Sequence, residues 1–352
     1  MFLDRLRTAT ARPAIGRQPV TGPLPVTRIG LGLAAVGRPA YINLGHREDL
    51  PPERSVAALR SRAHELLATA YAHGVRYVDV ARSYGRAEEF LAGWLGPGRD
   101  YRPDVVVGSK WGYTYAAGWR VDVEVHETKD HSVATFDRQL AETRALLGER
   151  LDLYQIHSVT PDSTALVDAG LHRRLAALAA EGVTVGLSTS GPYQSEAIHA
   201  ALRLRLAGQP VFASVQATWN LLEPSVADAL AEAHDAGWAV IVKEALANGR
   251  LAGRGSGSVA PHAPVDPGSS GAAALAEITK QAGVSYDVVA LAAALHQPWA
   301  DVVLSGASTA AQLTSNLRAA TLVLDQRQLA RLAGLAEPAT RYWRHRSRLA
   351  WT

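Results

Sequence analysis

Four side chains in the sequence form a set able to place a proton on a carbonyl oxygen. Asp79 stands inside the apolar run Tyr77-Val78-Asp79-Val80-Ala81, and Tyr84 follows five residues later in Arg82-Ser83-Tyr84-Gly85. Lys110 ends Val105-Val106-Val107-Gly108-Ser109-Lys110, and His157 ends Leu153-Tyr154-Gln155-Ile156-His157. A carboxylate in an apolar strand needs a partner or must give up its charge. A tyrosine hydroxyl, with an ordinary pKa of about 10, is a weak acid at neutral pH unless a neighbouring cation stabilises its phenolate. Lys110 is expected to be that cation, Asp79 to hold it in place, and His157 to donate a hydrogen bond to the carbonyl oxygen. No side chain supplies hydride, so the set implies general acid catalysis of carbonyl reduction with a hydride-carrying cofactor. Each residue alone has a plainer reading: a buried salt bridge for Asp79, packing for Tyr84, a snorkelling lysine for Lys110 and a satisfied core histidine for His157. Their arrival on three successive strands, at the same strand end, is what joins them.

The elements that must position them alternate short apolar runs with longer stretches of helical periodicity, the pattern of parallel strands joined by helical crossovers. Eight strands are predicted, at 28–34, 76–81, 105–110, 151–157, 184–188, 213–216, 239–243 and 301–305. Amphipathic stretches such as 61–73, 133–147, 195–206 and 226–236 carry apolar residues three or four apart and are expected outside the sheet. Asp130 or Ser132, and Pro224-Ser225, read as helix starts. Eight units suggest closure into a single (β/α)8 TIM barrel of the α/β class, whose chemistry sits at the C-terminal strand ends. An open Rossmann sheet is the minor alternative, since Gly30-Leu31-Gly32-Leu33-Ala34-Ala35 supplies only part of a phosphate-binding turn. One domain is read over 1–352, with an N-terminal extension at 1–25, a Gly/Ser/Pro-rich loop at 247–271 placed over the site or on the surface, and a C-terminal tail at 338–352.

Composition narrows the classes. A chain of 352 residues, 47% hydrophobic and 20% charged, can bury a large core without disulfides. It contains no cysteine, which removes thiol nucleophiles and thiolate metal centres and fits a cytoplasmic location. Positions 1–18 hold arginines but no continuous apolar core and do not read as a signal peptide, and no stretch reaches the ~20 apolar residues of a membrane span. Nucleic-acid binding would need the net charge of +3 concentrated on one face; the one dense basic stretch, Arg341-Tyr342-Trp343-Arg344-His345-Arg346-Ser347-Arg348, reads mainly as solvated surface. A small-molecule carbonyl or alcohol is therefore the expected partner, with no nucleic acid and no membrane, and the oligomeric state is left open. His126 and His131 lack an evident third ligand, so no metal is expected and they read as exposed or pocket-lining.

The stretches Gly74-Val75-Arg76-Tyr77-Val78-Asp79-Val80-Ala81-Arg82-Ser83-Tyr84-Gly85, Ser109-Lys110-Trp111-Gly112 and Leu151-Asp152-Leu153-Tyr154-Gln155-Ile156-His157-Ser158 resemble the aldo-keto reductase family, whose Asp, Tyr, Lys and His tetrad lies in these contexts. The resemblance implies Asp79, Tyr84, Lys110 and His157 as catalytic residues of an NAD(P)-dependent oxidoreductase. It implies Ser188 and Gln216 as carboxamide-binding residues, with Thr189 where an asparagine is usual. The segment from Ser305 to Asn316 is similar to the family's adenosine-phosphate grip, with Ser305, Gly306, Ala307, Gln312, Ser315 and Asn316 facing the cofactor and backbone amides at a helix start favouring phosphate. Gly32, Lys243, Leu246 and Gly249 complete the implied cofactor set.

Two departures from the family pattern stand out. Gln312 replaces the arginine that commonly clamps a 2′-phosphate, and Gly306 replaces a frequent lysine, so charge selection for NADPH is not evident; the resemblance implies NADPH, with NADH open. Lys243 occupies the usual place of an aromatic that stacks on nicotinamide, and either its aliphatic stem covers the cofactor or it pairs with Glu244. The substrate pocket is expected to include Tyr41, Trp111 and Trp219, with Tyr342, Trp343 or Trp351 of the tail as further candidates, an aromatic wall suited to a partly apolar substrate or a sugar face. An NAD-dependent sugar dehydrogenase and a non-catalytic cofactor-binding regulatory subunit remain the alternatives.

Overall fold

The computed structural model describes residues 27–97, 100–252 and 269–352; the extension at 1–25 and the greater part of the 247–271 loop lie outside the described residues. Eight parallel strands close into a barrel: β1 (Ile29–Gly32), β2 (Tyr77–Asp79), β3 (Val106–Trp111), β4 (Leu151–Val159), β5 (Thr184–Thr189), β6 (Ser214–Thr218), β7 (Ala239–Lys243) and β8 (Val302–Ser305). Each pairs with its sequence neighbour, and β8 returns to β1 through Ile29↔Val303. All eight predicted strands are present, and the open-sheet alternative is excluded.

Helices coat the barrel: α1 (Val56–Ala72), α2 (Ala87–Leu95), α3 (Val133–Leu147), α4 (Ala169–Ala180), α5 (Gln194–Arg203), α6 (Ala227–Asp235), α7 (Ser270–Ala282), α8 (Tyr286–Leu295), α9 (Ala310–Leu317), α10 (Gln326–Leu332) and α11 (Ala339–Arg346). Ser132 caps α3 by accepting from the Thr135 amide, while Asp130 braces it through the Ser132 amide and the Thr135 hydroxyl. Both residues named for that start therefore take part. α6 begins at Ala227 without a side-chain cap, its first amide donating to the Pro224 carbonyl. The tail carries α11, and Tyr41 and Thr352 exchange backbone hydrogen bonds of 3.2 Å that pin Thr352 to the loop after β1.

Side-chain alternation along the strands places the site. Tyr77, Val106, Leu153, Ala239, Ile241, Val302 and Leu304 form a compact apolar cluster inside the barrel, distinct from the larger core between sheet and helices. Counting two residues on from these inward positions carries Asp79, Gly108, Gln155 and Lys243 inward, and four on from Val106 does the same for Lys110. The floor is thus apolar and the layer above it polar. Removing a large floor side chain, as in Ile241→Ala, is expected to cost about 2–5 kcal/mol.

Candidate active site

Lys110 is fully buried, and its Nζ donates to Asp79 Oδ2 at 2.5 Å and to the Val80 carbonyl at 2.9 Å. The other oxygen of Asp79 accepts from Gln216 Nε2 at 2.8 Å. Asp79 therefore ties together side chains from β3 and β6. Lys110 Nζ lies 4.8 Å from the centre of the Tyr84 ring, and the Tyr84 and His157 rings meet edge to face with centres 5.6 Å apart. All four residues of the expected set converge, with Asp79, Tyr84 and His157 lining one cavity and Lys110 beneath it.

Tyr84 sits on a turn made possible by two glycines. A Cβ on Gly37 would fall 2.3 Å from the Tyr84 carbonyl oxygen, and one on Gly85, where φ is +62°, would fall 2.5 Å from the Gly37 oxygen. Only glycine at both places lets the loop after β1 press against this turn. That contact brings in Arg38, a residue not singled out from the sequence: its guanidinium lies 5.6 Å from the Tyr84 ring centre and 4.7 Å from that of Trp351, and it pairs with Glu127.

His157 is aimed by a bulge. The β4–β5 register slips between Ile156 and Val159, and Ser158 takes φ of +54°. An extra residue in one strand turns the neighbouring side chain. Ser188 serves this bulge, its Oγ accepting from the Ser158 amide at 2.8 Å, and it is absent from the cavity wall. His131 supports the same place, donating from Nε2 to the His157 carbonyl while Nδ1 faces Ser163 Oγ. His126 stacks on Trp351 at 4.3 Å. Both histidines are buried, neither exposed nor on the cavity wall as the sequence suggested.

Burial dominates the electrostatics. It pushes the Tyr84 phenol well above the ordinary tyrosine range, and the Asp79 charge adds to this, so the field runs opposite to the acidification expected from Lys110. The reason is geometric: the Lys110 ammonium is matched by the Asp79 carboxylate at 2.5 Å. Burial, then the charges of Lys110, Lys243 and Arg38, hold His157 well below the usual histidine value, so its imidazole is neutral. Lys243 falls to about 8, chiefly through burial, and donates to Thr218 Oγ1 at 2.8 Å. Glu244 resists the burial that opposes its ionisation and stays at about 2, because Arg346 of α11 grips both its oxygens. Lys243 lies 3.8 Å from Glu244, so Arg346 is that carboxylate's main partner.

The cavity holds about 410 Å³. Its wall includes Gly32, Tyr41, Gln216, Lys243, Leu246, Gly249, Ser305, Gly306, Ala307, Gln312, Ser315 and Asn316, all anticipated, and Trp351, one of the tail aromatics offered for the pocket, along with Asp49, Glu244 and Arg346, which were not anticipated as site residues. Trp111 and Trp219 do not reach it. Trp111 is buried between His131 and Phe136, and Trp219 packs against Trp299. Each follows an inward residue on its strand, Lys110 or Thr218, so alternation turns it toward the helices.

The chain belongs to the aldo/keto reductase family, whose sequence model matches residues 28–337, and it is an oxidoreductase of that type. Among solved structures it is similar to PA4992 of Pseudomonas aeruginosa, assigned as an aldo-keto reductase, with 23% identity, 84% of this chain and 90% of that chain covered, and a TM-score of 0.56. It is also similar to the holo form of the aldo-keto reductase AKR11C1 from Bacillus halodurans, with 20% identity, 92% and 96% coverage and a TM-score of 0.61. At these identities the likeness carries the fold. No curated protein matches the chain. Among the described residues no helix is long and apolar enough to cross a membrane, and no group of three His, Asp or Glu is placed to hold a metal ion.

Proposed function

We propose that this protein reduces an aldehyde or ketone to an alcohol, with a nicotinamide dinucleotide in the cavity and Tyr84 as proton donor. The observation that carries the reading is the convergence of Tyr84, His157 and the Asp79–Lys110 pair at one wall of that cavity. Its far walls suit a dinucleotide. The buried Gln216 Oε1 has no hydrogen-bond partner among the described residues and faces the need of an amide donor such as a carboxamide. Ser305, Gly306 and Ala307 border the cavity just ahead of α9, and the positive end of a helix dipole attracts phosphate. Bound there, the dinucleotide supplies the hydride.

The chain's own groups do the rest. Tyr84, kept protonated by its surroundings, donates its phenolic proton to the carbonyl oxygen as negative charge grows there. His157, neutral, donates one N–H toward the same oxygen and fixes the carbonyl's orientation. Asp79 and Lys110 position the phenol and set a steady local field, and the Arg38 guanidinium lies 5.6 Å from the centre of the same ring. The protonation states of Tyr84 and His157 both serve reduction. Mixing the protein with NADH or NADPH and a panel of aldehydes is expected to oxidise the reduced nicotinamide. Tight dinucleotide binding without turnover in either direction would instead support a non-catalytic binding role.

A further inference from the structure

The charges along the cavity wall are distributed unevenly. Asp79, Glu127 and Glu244, near Tyr84, are each matched by a cation: Lys110, Arg38 and Arg346. Asp49 lies elsewhere, at the barrel's rim, where the loop before α1 meets the start of α9. Its Oδ2 accepts from Gln312 Nε2 at 2.7 Å and from Ser308 Oγ at 3.2 Å, both neutral donors. Among the described residues its Oδ1 carries no hydrogen bond. Asp287 also lines this part of the wall; it is met by the Asn316 amide nitrogen at 2.7 Å when that amide is oriented to satisfy Ser305 as well. Arg62 stands behind, donating to the main-chain carbonyls of Asp49 and Ser308 and pairing through Nε with Glu65 at 3.1 Å, and it is not part of the wall.

A carboxylate held by neutral donors at the edge of a polar cavity favours hydroxyl donors and disfavours anions. The ribose of an adenosine offers two adjacent hydroxyls, while a 2′-phosphate there carries roughly −1.5 to −2 charge at neutral pH. Gln312 holds Asp49 and offers no positive charge of its own.

We propose that Asp49 is a specificity residue that selects NAD(H) over NADP(H), by accepting from the adenosine ribose and repelling a 2′-phosphate. The proposal rests on the reading that a dinucleotide fills this cavity with its reactive ring at Tyr84. It assigns the expected NADPH preference the other way, for a reason that lies in a residue far from Gln312 in sequence.

Fluorescence titration of the intact protein with NADH and NADPH tests it without turnover. NADH is expected to bind at least about tenfold more tightly at low ionic strength, a preference of about 1.4 kcal/mol that shrinks as salt is added. Asp49→Asn should weaken NADH and strengthen NADPH until the ratio is near one. Gln312→Arg, which leaves Asp49 in place and adds a cation beside it, should improve NADPH alone and keeps the test open if the first variant misfolds. Equal binding by the native protein, tighter NADPH, or a ratio unmoved by both variants overturns the proposal while leaving the dinucleotide reading intact. Binding of neither dinucleotide overturns that reading itself.

Discussion

The two ends of the cavity handle buried charge in opposite ways. Around Tyr84, each carboxylate on the wall has its own cation: Lys110 for Asp79, Arg38 for Glu127, Arg346 for Glu244. At the rim, Asp49 is held by an amide and a hydroxyl. The first arrangement makes a nearly neutral, rigid setting in which a phenol keeps its proton and an imidazole stays uncharged. The second leaves a carboxylate on the cavity wall held by neutral side-chain donors, the setting the proposed ribose contact requires. Carboxylate charge is thus matched by paired cations around Tyr84 and by neutral side-chain donors at the rim.

The comparison is broken most severely by removing half of a compensated pair. Lys110→Met leaves Asp79 buried without its cation, and a loss of about 3–5 kcal/mol in stability is expected from urea denaturation, most of it recovered in the double variant Lys110→Met/Asp79→Leu. At the rim, Asp49→Asn should change stability by less than about 1 kcal/mol, because its donors keep partners among neighbouring oxygens and water. Similar losses for Lys110→Met and Asp49→Asn would erase the distinction.

Lys243 sharpens the same contrast through pH. Its amine takes up a proton less readily in the folded protein, with a pKa of about 8, than in the unfolded chain at 10.5. From pH 8 upward the unfolded state therefore holds more protons, so stability rises with pH, by about 2 kcal/mol up to pH ~9.5 where tyrosines begin to ionise. Below pH 8 the cost of burying the charge is present in full. Denaturation curves across this window should show the rise in the native protein and its loss in Lys243→Met; parallel curves would contradict the assignment.

The barrel was legible because its eight apolar runs are short, regularly spaced and separated by helical periodicity. The convergence of Asp79, Tyr84, Lys110 and His157 was legible because polar residues end those runs, and parallel strands bring such ends together. Strand alternation is also in the sequence: one step past Lys110 or Thr218 points away from the barrel, which removes Trp111 and Trp219 from the pocket. The partnership of Glu244 with Arg346 spans 102 positions, and no local pattern announces it. Asp49 reads as one more charge in the polar stretch His46-Arg47-Glu48-Asp49, and only the packing of α1 against α9 brings it to Gln312. The resemblance implies Ser188 on the cofactor, yet the bulge at Ser158 takes up its hydroxyl.

The direct test of Tyr84 as proton donor is the single-turnover rate of carbonyl reduction in Tyr84→Phe, measured beside the dissociation constant of the dinucleotide. A rate lower by at least ~100-fold, with binding altered less than about threefold, is the predicted result. A variant that reduces the carbonyl at the native rate, with the dinucleotide equally well bound, would contradict the account.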